Sequence, residues 1–328
     1  MSHVAHFLAD PITELPPLRV GSIRRTSRVD MIGALGGDLT LVGSAHGPGP
    51  GPASAPASAP ASARCRATVA PDRTLRALEV TPALEATAHE ALIGRVVGKG
   101  FRSAVDDVCE PGSLRAVLLD ELPVAAMLSG YGTLYTGKMP SPVTDQALAG
   151  LPVGVCAGWA EPSSMVLRIR RERKIPTPDG PVAPLGIDAS WPDMPALAPG
   201  SMRRQRLIQV DGEAVWAMFR DTYAPPTGPA IVLHEYTVTA GIGHGEIVSC
   251  EAIPHVLPWG ECPTAAASAA RMVGRPVASL RAHVRNEMFG TSTCTHLNDL
   301  LASLAQVAVL LDPGGSLGLP PTSSRRPN

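Results

Sequence analysis

The feature that most constrains the fold is the order of two periodicities in the second half of the chain. Four strand-like runs come first, at residues 203–210, 214–220, 231–240 and 246–253. Asp211-Gly212 separates the first two, which is a strong hairpin signal. After Pro263, apolar residues recur at the three- and four-residue spacing of a helix. Strands followed by helices predict an α+β fold with an antiparallel sheet.

The first half of the chain carries similar features in the same order. Residues 23–26 (IRRT) match residues 202–205 (MRRQ), and residues 97–99 (VGK) match residues 273–275 (VGR). Chance similarity between two amphipathic stretches is the alternative, but the shared order favours a tandem duplication. We therefore expect two pseudo-symmetric copies packed together, each with a small antiparallel sheet followed by helices.

Composition sets the expected domain boundaries. Residues 46–63 (HGPGPGPASAPASAPASA) contain nothing that buries much surface, so they predict a disordered insert. This insert interrupts a first, degenerate copy at residues 19–135. Residues 136–200 read as a proline-rich connector, residues 201–311 as the second copy and residues 312–328 as a disordered tail.

Charge and composition bound the partners. The chain has 28 Lys and Arg against 29 Asp and Glu, and 4% aromatic residues, which argues against nucleic acid as a partner. Apolar runs are too short for a transmembrane helix, so no membrane partner is expected. The N-terminus lacks a basic, apolar signal pattern, and six scattered cysteines favour reduced thiols. The expected location is the cytoplasm; the sequence leaves the oligomeric state open.

Chemistry is expected around two cysteines and a histidine that occur only in the second copy: Cys262, Cys294 and His296. Cys262 precedes Pro263, and Cys294 precedes an amphipathic run, so both are expected near helix starts, where the pKa of a thiol is lowered. Two thiolates and an imidazole would suit zinc or iron, the alternative being no cofactor.

Two other interpretations of these residues stay open. Both cysteines could be buried as small apolar residues beside a hydrogen-bonded histidine. One cysteine could instead be a catalytic nucleophile, with His296 or His255 as its base. Arg203, Arg204, His234 and Glu235 are candidate substrate-binding residues. Because neighbouring side chains on a strand point to opposite faces, only one of His234 and Glu235 can face a given pocket.

Several segments resemble a known family. SMRRQR, AMFRDTY, VLHEY and the CP…VG…CTHL signature are similar to the actinobacterial members of a bacterial family called domain of unknown function 2889. That resemblance implies no activity. A weaker similarity is to iron–sulfur cluster assembly scaffold proteins, through the order Cys262, Val273-Gly274-Arg275 and Cys294. Thr264 stands where the scaffolds have aspartate, and their middle cysteine has no counterpart between Val277 and Phe289.

Three classes of function follow. The first is a metal- or thiol-dependent enzyme that acts on a small organic or acyl substrate. The second, implied by the scaffold resemblance, is a metal or sulfur carrier. The third is a non-catalytic protein that binds a small molecule in a groove between the copies.

Overall fold

One antiparallel sheet organises the molecule. The computed structural model describes residues 6–7, 10–33, 36–48, 61–135, 142–184 and 186–311, with the backbone only at 6, 7 and 188. The strands are β1 (His6–Phe7), β2 (Ile23–Ile32), β3 (Leu39–Gly47), β4 (Ala61–Val69), β5 (Leu75–Thr81), β6 (Met202–Asp211), β7 (Ala214–Tyr223), β8 (Ile231–Gly243) and β9 (Glu246–Leu257). Their order across the sheet is β1-β9-β8-β7-β6-β2-β3-β4-β5.

The predicted four-stranded meander of the second half is confirmed, and its strands are longer than the sequence indicated. Asp211 pairs with Ala214, so Gly212 and Glu213 form a two-residue hairpin loop in which Gly212 has a φ of 60°. The glycine-rich run 241–245 is shorter as a turn than predicted. Its first three residues stay in β8, and only His244 and Gly245, both with positive φ, reverse the chain.

Helices cover one face of the sheet. They are α1 (Ala86–Leu92), α2 (Phe101–Val108), α3 (Leu114–Tyr135), α4 (Asp145–Ala149), α5 (Ser164–Glu172), α6 (Leu280–Glu287), α7 (Thr295–Ser303) and α8 (Gln306–Leu311). α3 packs on β2, β3 and β4, whereas α7 and a 3₁₀ helix, Cys262–Met272, pack on β7, β8 and β9. The sheet and helices confirm the α+β class.

The opposite face is covered by irregular chain. Ile187 and Trp191 of the connector pack on Leu207 and Met218, with residues of the N-terminal segment around Ile12 beside them. Two short helices, α4 and α5, interrupt the predicted proline-rich connector at 136–200, and residues 136–141 lie outside the described part. Ile187 and Trp191 therefore belong to the second cover of the sheet, whereas Met165 and Ile169 of α5 pack into the core beneath the helices.

The two halves meet at the centre of the sheet, where β2 pairs with β6 from Ile23–Val210 to Met31–Met202. Each half contributes four consecutive antiparallel strands. The ends of the predicted insert at 46–63 are strand, because Gly47 pairs with Ala61. Residues 49–60 and the predicted tail at 312–328 lie outside the described residues. In the part of the chain that is described, no helix has the length and apolar character needed to cross a membrane.

Candidate functional site

A network of buried charges lies where the halves meet, on the helix-covered face. Asp299 of α7 is its centre and contacts Arg102 of α2 and both Arg204 and Arg206 of β6. The side chains of Arg204 and Asp299 are 1% and 4% exposed. We define the buried charge network as these four residues with Asp120, Glu121 and Arg281. It holds helices of one half against strands and helices of the other.

A group of aromatic, acidic and sulfur side chains adjoins this network; we call it the histidine cluster. The rings of His234 and His296 stack with their centroids 4.0 Å apart. Asp221 Oδ2 lies 3.4 Å from His234 Nδ1, and Tyr131 Oη lies 3.4 Å from His234 Nε2. Cys294 Sγ lies 3.9 Å from His296 Nδ1. Strand β7, strand β8, helix α3 and the start of α7 each supply part of the cluster.

Burial sets the protonation of the cluster. Burial, with His234 and Arg204 nearby, holds the pKa of His296 well below that of an ordinary histidine. Burial likewise raises the pKa of the Tyr131 phenol well above its usual value. At neutral pH the site therefore presents a neutral imidazole, the form that accepts a proton or binds a metal ion. His296 and Tyr131 are partly exposed, so one side of the cluster approaches solvent.

The predicted lowering of the thiol pKa values is wrong. Burial raises the pKa of Cys294 to about 11, although it is the N-cap of α7 and backbone N–H groups partly oppose the rise. Burial, then Cys294 and Cys156, raise the pKa of Cys262 well above its usual value. A Cβ on Gly158 would stand 2.8 Å from Cys262 Sγ, so this sulfur is tightly packed. Loss of hydration outweighs the helix-start effect at both thiols.

We expect Cys262 and Cys294 to resist alkylation by iodoacetamide at neutral pH in the folded protein, because each is buried and protonated. Cys156 and Cys250 should react first because they are partly exposed, although burial raises the pKa of both thiols as well. Mass spectrometry of tryptic peptides after timed labelling measures the order, and labelling in urea should make all the thiols reactive. Rapid modification of Cys294 in the native protein would restore the thiolate interpretation.

The other predicted site residues are divided between the two faces of the sheet. Glu235 pairs with Arg220, away from its neighbour His234, as strand alternation requires. His255 hydrogen-bonds to Thr237, on the face opposite Tyr236, so the structure does not bring His255 to the cysteines. Its role as the base of a cysteine nucleophile therefore has no geometric support.

The two candidate arginines are divided in the same way. Arg203 is bonded to Asp30 at 2.6 and 2.8 Å on the connector side. Arg204 faces the helices, where it contacts Asp221 and lies 4.5 Å from the centre of the Phe219 ring. Both guanidinium groups are buried with carboxylate partners, which leaves neither free to bind a substrate.

A different trio from the predicted one is brought together. Among the described residues, the group of potential metal ligands whose atoms lie within 4.8 Å of one another is Asp221, His234 and His296. His296 belongs to both sets, but Cys262 and Cys294 do not join it at that spacing. The sequence identified His234 as a candidate substrate-binding residue, whereas Asp221 and Tyr131 were missed. The Asp221 signal was weak, because an aspartate in AMFRDTY resembles a strand-end residue.

Comparison with known proteins finds a family match over part of the chain and no activity. Residues 201–310 match the model of a family described as protein of unknown function, DUF2889. The match supports the predicted resemblance over that segment, which includes Asp221, His234 and His296. No curated protein matches the chain, and no solved structure matches it.

Proposed function

We propose that the protein is an enzyme that acts on a small organic or acyl substrate at the histidine cluster. The observation that carries the proposal is the neutral imidazole of His296, stacked on the buried His234 at a partly exposed edge of the cluster. Tyr131 and Cys156 are also partly exposed. A small substrate would approach the cluster from this edge, beneath which His296 Nε2 is buried.

The same geometry favours the imidazoles over the thiols as the reactive groups. Cys262 and Cys294 are 8% and 5% exposed, and their raised pKa values leave little thiolate at pH 7. A metal or sulfur carrier would need thiols that exchange ligands with solvent, so this burial also gives the carrier alternative less support.

Two surface depressions, of about 450 and 390 Å³, are lined by no member of the cluster.

We also propose that the chain arose by tandem duplication. β2 and β6 are both ten residues long and pair symmetrically about Ser27 and Arg206. The loops after β5 and β9 fold back alike: Gly94 N donates to Leu75 O, and Gly274 N donates to Ile247 O, both at 2.8 Å. On this pattern Gly94 corresponds to Gly274, whereas the sequence match of 97–99 with 273–275 places Gly98, four residues later, opposite Gly274.

Comparison of the two proposed copies distinguishes the residues that the sheet requires from those that it does not. In the second half, Asp221 pairs with Arg204 on one side and with His234 on the other. In the first half, Gly47 pairs with Ala61 and lies against Arg25. The corresponding strands thus form with glycine and alanine in place of Asp221 and His234. Building the sheet does not require the second pair of side chains.

A substrate screen tests the enzyme proposal. Wild-type protein is incubated with a panel of small chromogenic esters, thioesters and phosphate esters, and product release is followed by absorbance. We expect turnover of at least one class, reduced about 10²–10⁴-fold in His296→Asn because the imidazole that accepts a proton or binds a metal ion is lost. His255→Asn, the same substitution on the other face, should leave the rate unchanged. Equal rates in both variants, or no turnover by the wild type, would refute the proposal.

Three further expectations from the sequence remain proposals. A cytoplasmic location, similarity to actinobacterial relatives and a fold relationship to iron–sulfur scaffolds are consistent with a small reduced α+β protein. None of them bears on which substrate is used.

A further inference from the structure

Two buried nitrogen atoms in the histidine cluster have no hydrogen-bond partner. They are His234 Nδ1 and His296 Nε2. His234 is 2% exposed, so water does not satisfy its nitrogen from the surface. A buried polar atom without a partner costs about 1–3 kcal/mol, and such an atom in a native structure calls for an explanation.

One of the unpartnered atoms, His234 Nδ1, lies beside a carboxylate. Asp221 Oδ2 lies 3.4 Å from His234 Nδ1 without making a hydrogen bond to it, and the ligand atoms of Asp221, His234 and His296 all lie within 4.8 Å of one another. Ligands bound to one ion at roughly 2.0–2.2 Å stand about 3–4 Å apart. The three ligand atoms are thus close to the spacing that one ion requires, and the stacked imidazole rings must rotate for their in-plane lone pairs to converge on it.

We propose that the cluster binds a divalent transition-metal ion, zinc or ferrous iron, through His234 Nδ1, His296 Nε2 and Asp221 Oδ2. Imidazole and carboxylate donors suit both ions. Three protein ligands leave coordination positions open for water or a substrate, which is the arrangement of a catalytic rather than a structural site. This set replaces the two cysteines of the sequence-based hypothesis and retains its imidazole.

The second nitrogen of each histidine is already engaged, as metal-binding histidines usually require. His234 Nε2 lies 3.4 Å from Tyr131 Oη, and His296 Nδ1 lies 3.9 Å from Cys294 Sγ. Arg204 donates to both oxygens of Asp221, at 3.1 and 3.2 Å. These contacts fix which nitrogen of each ring faces the ion, and they give Cys294 a supporting role rather than a coordinating one.

Charge does not prevent binding. The ion would bring two positive charges near Arg204 and Arg206, but the acidic groups Asp221, Asp299 and Glu121 face the same space. The site shares its residues with the proposed enzyme, yet the inference stands apart from turnover. A protein that binds the ion and converts no substrate would support the metal site and refute only the proposed function.

Metal titration of the full-length protein, made without a histidine tag and stripped with a chelator, tests the site. Isothermal titration with Zn²⁺, and with Fe²⁺ in the absence of oxygen, should show about one high-affinity ion per chain. We expect His234→Ala and His296→Ala each to weaken binding at least 100-fold, and Tyr131→Phe to weaken it about 10-fold. His255→Ala is the matched control and should bind as the wild type does.

Cobalt substitution identifies the ligands. The Co²⁺ protein should show ligand-field bands without a thiolate-to-cobalt charge-transfer band, and Cys294→Ala should keep those bands. A charge-transfer band that disappears in Cys294→Ala would overturn the ligand set in favour of the thiols. Failure of the stripped wild type to bind any of these ions, or equal binding by the folded His296→Ala variant, would overturn the site itself. Circular dichroism identifies variants that have not folded, and His296→Ala, at a partly exposed position, is the less disruptive of the two.

Discussion

Replacing Asp299 with asparagine is expected to lower the free energy of unfolding by about 3–5 kcal/mol, because it removes the carboxylate shared by the buried Arg204 and Arg206 and the partly buried Arg102. Asparagine has nearly the same shape as aspartate, so the decrease in the free energy of unfolding would come from the lost charge and not from a cavity. Arg102, Arg204 and Arg206 would then share the remaining acids. Urea unfolding followed by circular dichroism measures the difference.

A matched exposed pair controls for the loss of one aspartate. Arg76 and Asp38 are 3.2 Å apart, with side chains 58% and 49% exposed. Asp38→Asn should change the free energy of unfolding by less than about 1 kcal/mol. If Asp299→Asn were as mild as Asp38→Asn, the buried charge network would not hold the halves together.

The same substitution should alter the response to acid. The neighbouring arginines hold the pKa of Asp299 below its unfolded value, although burial opposes them. A carboxylate with a lowered pKa contributes stability in full above its unfolded pKa, about 3.9, and loses it as the pH falls through the folded pKa. Asp299→Asn should therefore make the free energy of unfolding less dependent on pH in acid. Burial raises the pKa of Glu121. The effect of Glu121 on stability therefore depends on pH in the opposite direction: it favours the folded state at low pH, and this is lost as the pH rises.

Replacing Glu235 with alanine is expected to cost about 3–5 kcal/mol and to release the N-terminal segment from the sheet. Glu235 is fully buried, pairs with Arg220 and accepts a 2.7 Å hydrogen bond from Ile12 N. Arg220 also donates to Ile12 O. Loss of the carboxylate leaves a buried guanidinium without its acid and removes one of the two bonds to Ile12.

Limited proteolysis and urea unfolding together measure this effect. We expect faster cleavage between residues 10 and 20 in Glu235→Ala, along with the lower stability. Glu251→Ala is the control: this residue lies on β9 and is exposed, so its stability should stay within about 0.5 kcal/mol of wild type. A stable Glu235→Ala protein with a protected N-terminal segment would instead return Glu235 to the candidate substrate-binding residues.

Local patterns were sufficient to predict much of the fold. The alternation in 203–253 and the Asp-Gly turn predicted the meander, because both depend on neighbours in sequence. The central pairing of β2 with β6 could not be predicted in this way, because it joins strands far apart in the chain. The helices within the connector were missed, because frequent prolines suggested extended chain.

The candidate site was predictable only in part, for a related reason. His296 and His234 were identified from residue type, but the partners that make them a cluster come from α3 and β7. The pKa of each thiol depends on burial by the 3₁₀ helix and the connector, which no local pattern reveals. Its position at the start of a helix therefore predicted a lowered pKa for Cys294, whereas burial raises that pKa.

The pairing of β2 with β6 also has a consequence for folding during synthesis. β2 leaves the ribosome early, but its hydrogen-bonding partner, Met202–Asp211, emerges only after the whole connector. Until then β2 exposes an unpaired edge, and contacts of such long range slow folding and favour aggregation. Nascent chains stalled before residue 202 should therefore depend on chaperones to stay unaggregated, whereas chains released beyond the second meander should not.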